Sequence, residues 1–202
     1  PVSGNILLRR AQHEKAGDGA FALGVARACI AGKLRNCRQV LLRGAREAKE
    51  AADGAVLSRG ADDLAAALRA LPTAGDLDTA RGIEGEAARQ YFGCLNFLVR
   101  AEARKDFTLD GRTRRPPRDR MNALLSFLYS MLMNDCRSAV ESVGLDPQLG
   151  FLHALRPGRA ALALDLMEEF RHQADRLALT LVNRGQVSAD DFMMHEGGGV
   201  TL

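Results

Sequence analysis

The residues best placed to do chemistry lie in the stretch Arg159-Ala-Ala-Leu-Ala-Leu-Asp165-Leu-Met-Glu168-Glu169-Phe-Arg171. Asp165 stands three positions before Glu168 and four before Glu169, so on a helix the carboxylates share a face. Leu162 and Leu166 flank Asp165 and set it near an apolar boundary. Acids clustered in such a setting repel one another unless a cation neutralises them. The alternative is a solvated acidic face with Arg171 near its end. His153 lies just upstream, in Gly150-Phe-Leu-His-Ala-Leu-Arg156. It reads either as a hydrogen-bonded packing residue or, in a loop flanked by Gly and Pro, as a functional one. His13, His172 and His195 have no carboxylate cluster that the sequence favours.

Two further stretches carry charge in a pattern. In Arg81-Gly-Ile-Glu84-Gly-Glu86, Gly82 and Gly85 bracket Glu84 at what reads as a helix start. Glycine there costs helix stability and suggests a close backbone approach; otherwise Glu84 and Glu86 simply complement the helix N-terminus. The stretch is not a phosphate loop, because it lacks the Lys-Ser/Thr ending. Arg112-Thr-Arg114-Arg115-Pro-Pro-Arg118-Asp-Arg120 places five arginines in nine residues. It reads as a phosphate-contacting strip or as a solvated loop. Without interleaved aromatics it would hold backbone and shape rather than bases.

The elements that must position these groups read as helices from end to end. Ala and Leu dominate, and no stretch sustains period-two alternation. Ser3 caps a short helix ending near Lys15. Asp18 caps a long one through Phe21, Val25, Cys29, Leu34 and Leu41. Gly54 and Gly60 punctuate a loop, and Asp62 and Asp63 open a helix that Pro72 ends. A helix from near Ile83 runs through Leu98. Residues 104–120, with Gly111, Pro116 and Pro117, read as a basic loop. Asp119 caps a helix through Val140 that Gly144 stops, Asp146-Pro147 turns, and 150–158 is irregular. One helix then runs from Arg159 to Arg171 and another from about Gln173 to Asn183.

The 202 residues suit a single domain with a real core. A net charge of +3, from 28 basic and 25 acidic residues, does not by itself imply nucleic acid. No apolar run approaches the roughly 18 residues that span a bilayer. Cys29, Cys37, Cys94 and Cys136 form no C-x-x-C pair and read as free thiols in a reducing cytoplasm.

The strings occur together in a specific order. Gly82-Ile-Glu-Gly-Glu-Ala-Ala-Arg-Gln-Tyr-Phe92, Arg115-Pro-Pro-Arg-Asp-Arg-Met-Asn-Ala-Leu-Leu-Ser-Phe-Leu-Tyr129, Val143-Gly-Leu-Asp-Pro-Gln-Leu-Gly-Phe-Leu-His153 and Leu164-Asp-Leu-Met-Glu-Glu-Phe-Arg171 resemble the CRISPR adaptation integrase, the metal-dependent DNA endonuclease of spacer acquisition. The likeness runs from Ser3-Gly-Asn to about Gly199 and is nearest the subtype I-C branch. It implies an all-α catalytic domain over 1–202, with the 104–120 basic loop within it. The family's β-rich N-terminal domain, which builds the homodimer, and its basic tail would lie outside this chain. It implies Glu84, His153 and Glu168 as ligands of a catalytic Mg²⁺ or Mn²⁺, with Asp165 assisting or orienting. It puts Asn122 and Tyr129 near the substrate side, and Arg112, Arg114, Arg115, Arg118 and Arg159 on backbone phosphates. The implied chemistry is attack by a 3′-hydroxyl of incoming DNA on a phosphate at the edge of the repeat. Double-stranded DNA, both prespacer and CRISPR repeat, and a small ferredoxin-like CRISPR-associated protein are the implied partners; no membrane is implied. His172 stands where the family usually has proline. The rival reading is a non-catalytic helical nucleic-acid-binding or scaffold module. A His-Asp phosphohydrolase is disfavoured, because the chain has no His-Asp dipeptide.

Overall fold

Short polar side chains start most of the long helices. A computed structural model of the protein describes residues 5–202, so the expected Ser3 cap lies outside the described residues. Asn5 accepts from the amides of Leu7 and Leu8 and opens α1 (Ile6–Ala16). Asp18 accepts from Phe21 N at 3.0 Å and opens α2 (Gly19–Glu47). At 29 residues, α2 is roughly 43 Å long. α3 (Ala51–Ala70) ends in a 3₁₀ turn, Leu71–Thr73, that carries Pro72. Asp76 caps α4 (Leu77–Cys94), which passes into a 3₁₀ turn over Leu95–Leu98. α5 (Ala101–Phe107) takes up the first part of the 104–120 stretch and leaves 108–119 irregular. Asp119 caps α6 (Arg120–Ser142) through Asn122 N at 2.7 Å. α7 (Ala161–Asn183) follows the irregular 150–158 segment. Near the end, β1 (Met193–Met194) pairs antiparallel with β2 (Val200–Thr201), a small hairpin that the sequence pattern did not signal.

Three expected boundaries are corrected. Gly54 and Gly60 do not punctuate a loop; both lie inside α3. A Cβ at Gly60 would stand 2.5 Å from Cys94 Sγ, so this glycine lets α3 and α4 approach closely. The helix expected from Ile83 begins at Leu77, because Asp76 is a better cap than anything near residue 83. The helices expected to break near His172 are one helix, α7, which holds neither Gly nor Pro.

α2 runs through the middle of the molecule and packs against α3, α4 and α7, while α6 packs on α7. Ile30, Leu34 and Leu41 of α2, Leu57 and Leu64 of α3, and Met121, Leu124 and Leu125 of α6 are fully buried in one core. α4, α7 and α2 therefore hold fixed positions around the place where their polar side chains meet. Among the described residues, no helix is long and apolar enough to cross a membrane. All four cysteines are free, and three of them are buried.

Candidate active site

α7 turns Asp165 and Glu168 inward, 1% and 4% exposed, and leaves Glu169 on the surface. The three carboxylates expected on one face thus divide two and one. A buried carboxylate needs partners, and Asp165 finds four. Its Oδ2 accepts from the amides of Phe151 and Leu152 at 2.5 and 2.9 Å. Its Oδ1 accepts from the amide of His153 at 2.9 Å and from His153 Nδ1 at 2.7 Å. A carboxylate oxygen accepts, so Nδ1 carries a proton and Nε2 is the ring nitrogen left for other partners. Nε2 faces Glu168 Oε1 at 3.8 Å.

The segment bearing His153 is seated on both neighbouring helices. A Cβ at Gly150 would lie 2.6 Å from the carbonyl carbon of Ala161 and 2.8 Å from Asp165 Oδ2. Only glycine lets the backbone come that close to the start of α7. On the other side, Arg81 of α4 donates from Nε and NH2 to the carbonyl of Leu152 at 2.9 and 2.5 Å. One turn further along α4 stands Glu84. Gly82 and Gly85 do not serve the expected close approach, because a Cβ at either would meet nothing within 4 Å.

Lys33 of α2 closes the group. Its side chain is 9% exposed, and its ammonium pairs with Glu84 Oε1 and with Glu168 Oε2, the latter at 2.7 Å. The other oxygen of Glu168 takes Nε and NH2 of Arg171 at 2.8 and 2.7 Å. Glu168 Oε2 is buried, and the Lys33 ammonium is its close partner. Burial pushes the Glu168 carboxyl up, but Lys33 and Arg171 outweigh it and hold the group at about 2. Burial pushes the Lys33 ammonium down, and Glu168 and Glu84 more than restore it. Among the described residues, no three His, Cys, Asp or Glu side chains stand in a metal-holding arrangement. Glu84 and Glu168 converge on the ammonium instead.

A buried polar chain runs on from Arg171. Its guanidinium lies over the Tyr129 ring, 4.9 Å from the centroid, and Arg112 lies over the same ring at 5.3 Å. The Tyr129 hydroxyl donates to Asp175 Oδ1 at 2.5 Å, and that of Tyr91 donates to Oδ2 at 3.0 Å. Burial pushes the Asp175 carboxyl up, against the pull of both hydroxyls.

The site opens through a cleft of about 340 Å³ lined by Arg81, Glu84, Leu152, His153, Arg159 and Glu168. Of the five arginines expected on phosphates, Arg159 lines this cleft. Arg114, Arg115 and Arg118 are exposed on the 108–119 loop. Arg112 turns inward and bonds Asn122 Oδ1 at 2.6 Å and Ser126 Oγ at 3.1 Å. Asn122 is fully buried and holds the loop from beneath, donating to Gly111 O at 2.9 Å and accepting from Thr113 N at 3.0 Å. His172 is half-buried, bonded through Nδ1 to the carbonyl of Glu169 at 3.0 Å. Sequence reasoning missed Lys33, Arg81 and the pairing of Arg171 with Glu168. Lys33 did leave a signal: it sits between Ile30 and Cys37 on the apolar face of α2, in a chain with four lysines.

Comparison with known proteins agrees with this architecture. The family model described as CRISPR associated protein Cas1 matches residues 1–202. The chain is 58% identical over its whole length to CRISPR-associated endonuclease Cas1 1 of Moorella thermoacetica, and spans 59% of that relative. A casposase bound to integration product superposes on all of the chain with a TM-score of 0.83 at 27% identity, over 54% of its own length. A Cas1 protein from Thermotoga maritima matches 95% of the chain with a TM-score of 0.80 at 30% identity, over 57% of its own length.

Proposed function

The chain belongs to the Cas1 family of CRISPR-associated proteins, and on that premise we propose that it carries the catalytic site of a metal-dependent DNA endonuclease and integrase. The reaction proposed joins the 3′-hydroxyl ends of new spacer DNA to the CRISPR repeat. The observation that carries this reading is the meeting of Glu84, His153 and Glu168 on one open cleft, with Glu168 Oε1 3.8 Å from His153 Nε2. A donor set of two carboxylates and one imidazole suits Mg²⁺ or Mn²⁺. Glu84, His153 and Glu168 would hold the ion. When bound, such an ion supplies charge stabilisation to a phosphoryl centre and acidifies a coordinated hydroxyl or water.

The chain's own residues do the rest. Asp165 fixes the His153 tautomer, so that Nε2 is a ligand and not a donor. Arg81 ties the His153 segment to the helix that carries Glu84. Arg159, on the cleft lining, is placed to take a backbone phosphate. Arg114, Arg115 and Arg118 would hold phosphates further along the duplex, while Arg112 props the loop through Asn122. In the reaction the incoming 3′-oxygen forms a bond to phosphorus as the bridging oxygen of the repeat strand leaves. The proton lost by the attacking hydroxyl is matched by the one the leaving oxygen gains, so the number of phosphodiesters is unchanged. With water as nucleophile the same site cleaves.

The proposed partners are double-stranded DNA, a second copy of the full-length protein and a small Cas2-type protein. Support comes from the likeness to a casposase bound to integration product and to the Cas1 of a Cas6-RT-Cas1–Cas2 complex. In the full-length protein, Glu84→Ala should abolish strand transfer into repeat DNA while DNA retention in a binding assay is largely kept. Parallel loss of both would contradict this division of roles and favour a binding module.

A further inference from the structure

The metal site proposed above leaves one buried charge without a task. Lys33 is the one buried lysine of four, since Lys15, Lys49 and Lys105 are exposed. It reaches from the central helix α2 between a carboxylate of α4 and a carboxylate of α7. Without it, Glu84 and Glu168 would face each other with Arg171 as the cation paired to Glu168, and carboxylates so placed repel. The ammonium lies 2.7 Å from Glu168 Oε2 and also pairs with Glu84 Oε1, so one compact charge joins both carboxylates. A lysine suits such a post. Its charge is a point on a flexible stem, free to swing away, whereas an arginine would lock both carboxylates in a planar fork.

We propose that the Lys33 ammonium is an internal stand-in for the divalent cation: it holds Glu84 and Glu168 in place before the ion arrives, and it gives up at least one of them when the ion binds. The inference rests on the reading of Glu84, His153 and Glu168 as metal ligands. Metal loading is then an exchange of cations in a prebuilt site. Lys33 is a positioning residue whose removal affects the metal-free and metal-bound states in opposite directions.

The test uses the full-length protein, with Lys33→Met and Lys33→Gln beside wild type. Mn²⁺ affinity is measured by calorimetry, and Tm is measured with and without Mn²⁺. Both variants should lower the metal-free Tm and bind Mn²⁺ roughly tenfold or more tightly, since the competing charge is gone. Saturating Mn²⁺ should then restore most of the lost Tm. Unchanged or weaker Mn²⁺ binding by folded variants would overturn the proposal. Should neither variant fold, ¹³Cε-lysine NMR of wild type decides. The Lys33 signal should move on Mg²⁺ saturation while those of the exposed Lys15, Lys49 and Lys105 stay, and a stationary Lys33 signal would overturn the proposal. Failure of the underlying reading is a separate result: wild type would bind no Mn²⁺, or would bind it equally well after His153→Ala.

Discussion

Asp165 is 1% exposed and spends both oxygens on one short segment, three amides and an imidazole. Its role is therefore to shape the segment and to set the tautomer of His153, not to meet substrate. Asp165→Asn replaces one acceptor oxygen with a donor that faces N–H groups. It should cost roughly 2–4 kcal/mol of stability in urea unfolding. It should also release His153 to the other tautomer, visible as a change in the ring ¹⁵N shifts. Unaltered shifts and a loss below about 1 kcal/mol would contradict this role. That Asp165 and Glu168 share a helix face was legible from their spacing. That Glu169 turns away was not, because the same spacing rule admits it. The rotation of α7 is fixed by Ala163, Met167, Ala174 and Ala178, which it buries.

At the scale of elements, the site is a convergence of three helices and one irregular segment. α7 gives Glu168, α4 gives Glu84, α2 gives Lys33, and 150–158 gives His153. The caps Asp18 and Asp119 were readable because an Asp before an apolar helical run has one strong use. The glycines misled. Gly60 reads as a loop residue, yet it serves close contact between helices, which depends on a partner 34 positions away in sequence. Gly150 follows the same logic at the site. A Cβ there would strike backbone atoms of α7 at 2.6 and 2.8 Å, and backbone cannot step aside as a flexible side chain can. Gly150→Ala should cost about 1–3 kcal/mol and weaken Mn²⁺ binding by displacing His153, with helix content by circular dichroism unchanged. Metal affinity equal to wild type would show that the segment is not held where His153 needs it.

Across the whole molecule, one polar group joins three helices away from the cleft. Asp175 of α7 takes the hydroxyls of Tyr91 on α4 and Tyr129 on α6, fully enclosed. Neither tyrosine announced this in sequence, since each looks like an ordinary core position, and the pairing exists only once α4, α6 and α7 are packed. Burial raises the Asp175 carboxyl above its unfolded value. Its contribution is then fully present below the ordinary carboxylate range and is lost as pH rises through the folded value. Asp175→Asn lacks that loss, so the Tm of the variant minus that of wild type should grow more positive from about pH 4 to about pH 7. A difference flat with pH would contradict the buried-charge account. The central claim, that these helices assemble a divalent-cation site from Glu84, His153 and Glu168, is tested most directly by Mn²⁺ calorimetry on the wild-type chain beside His153→Ala. The account predicts saturable binding near one ion per chain that is lost in the variant. Absent binding, or binding indifferent to His153, would contradict it.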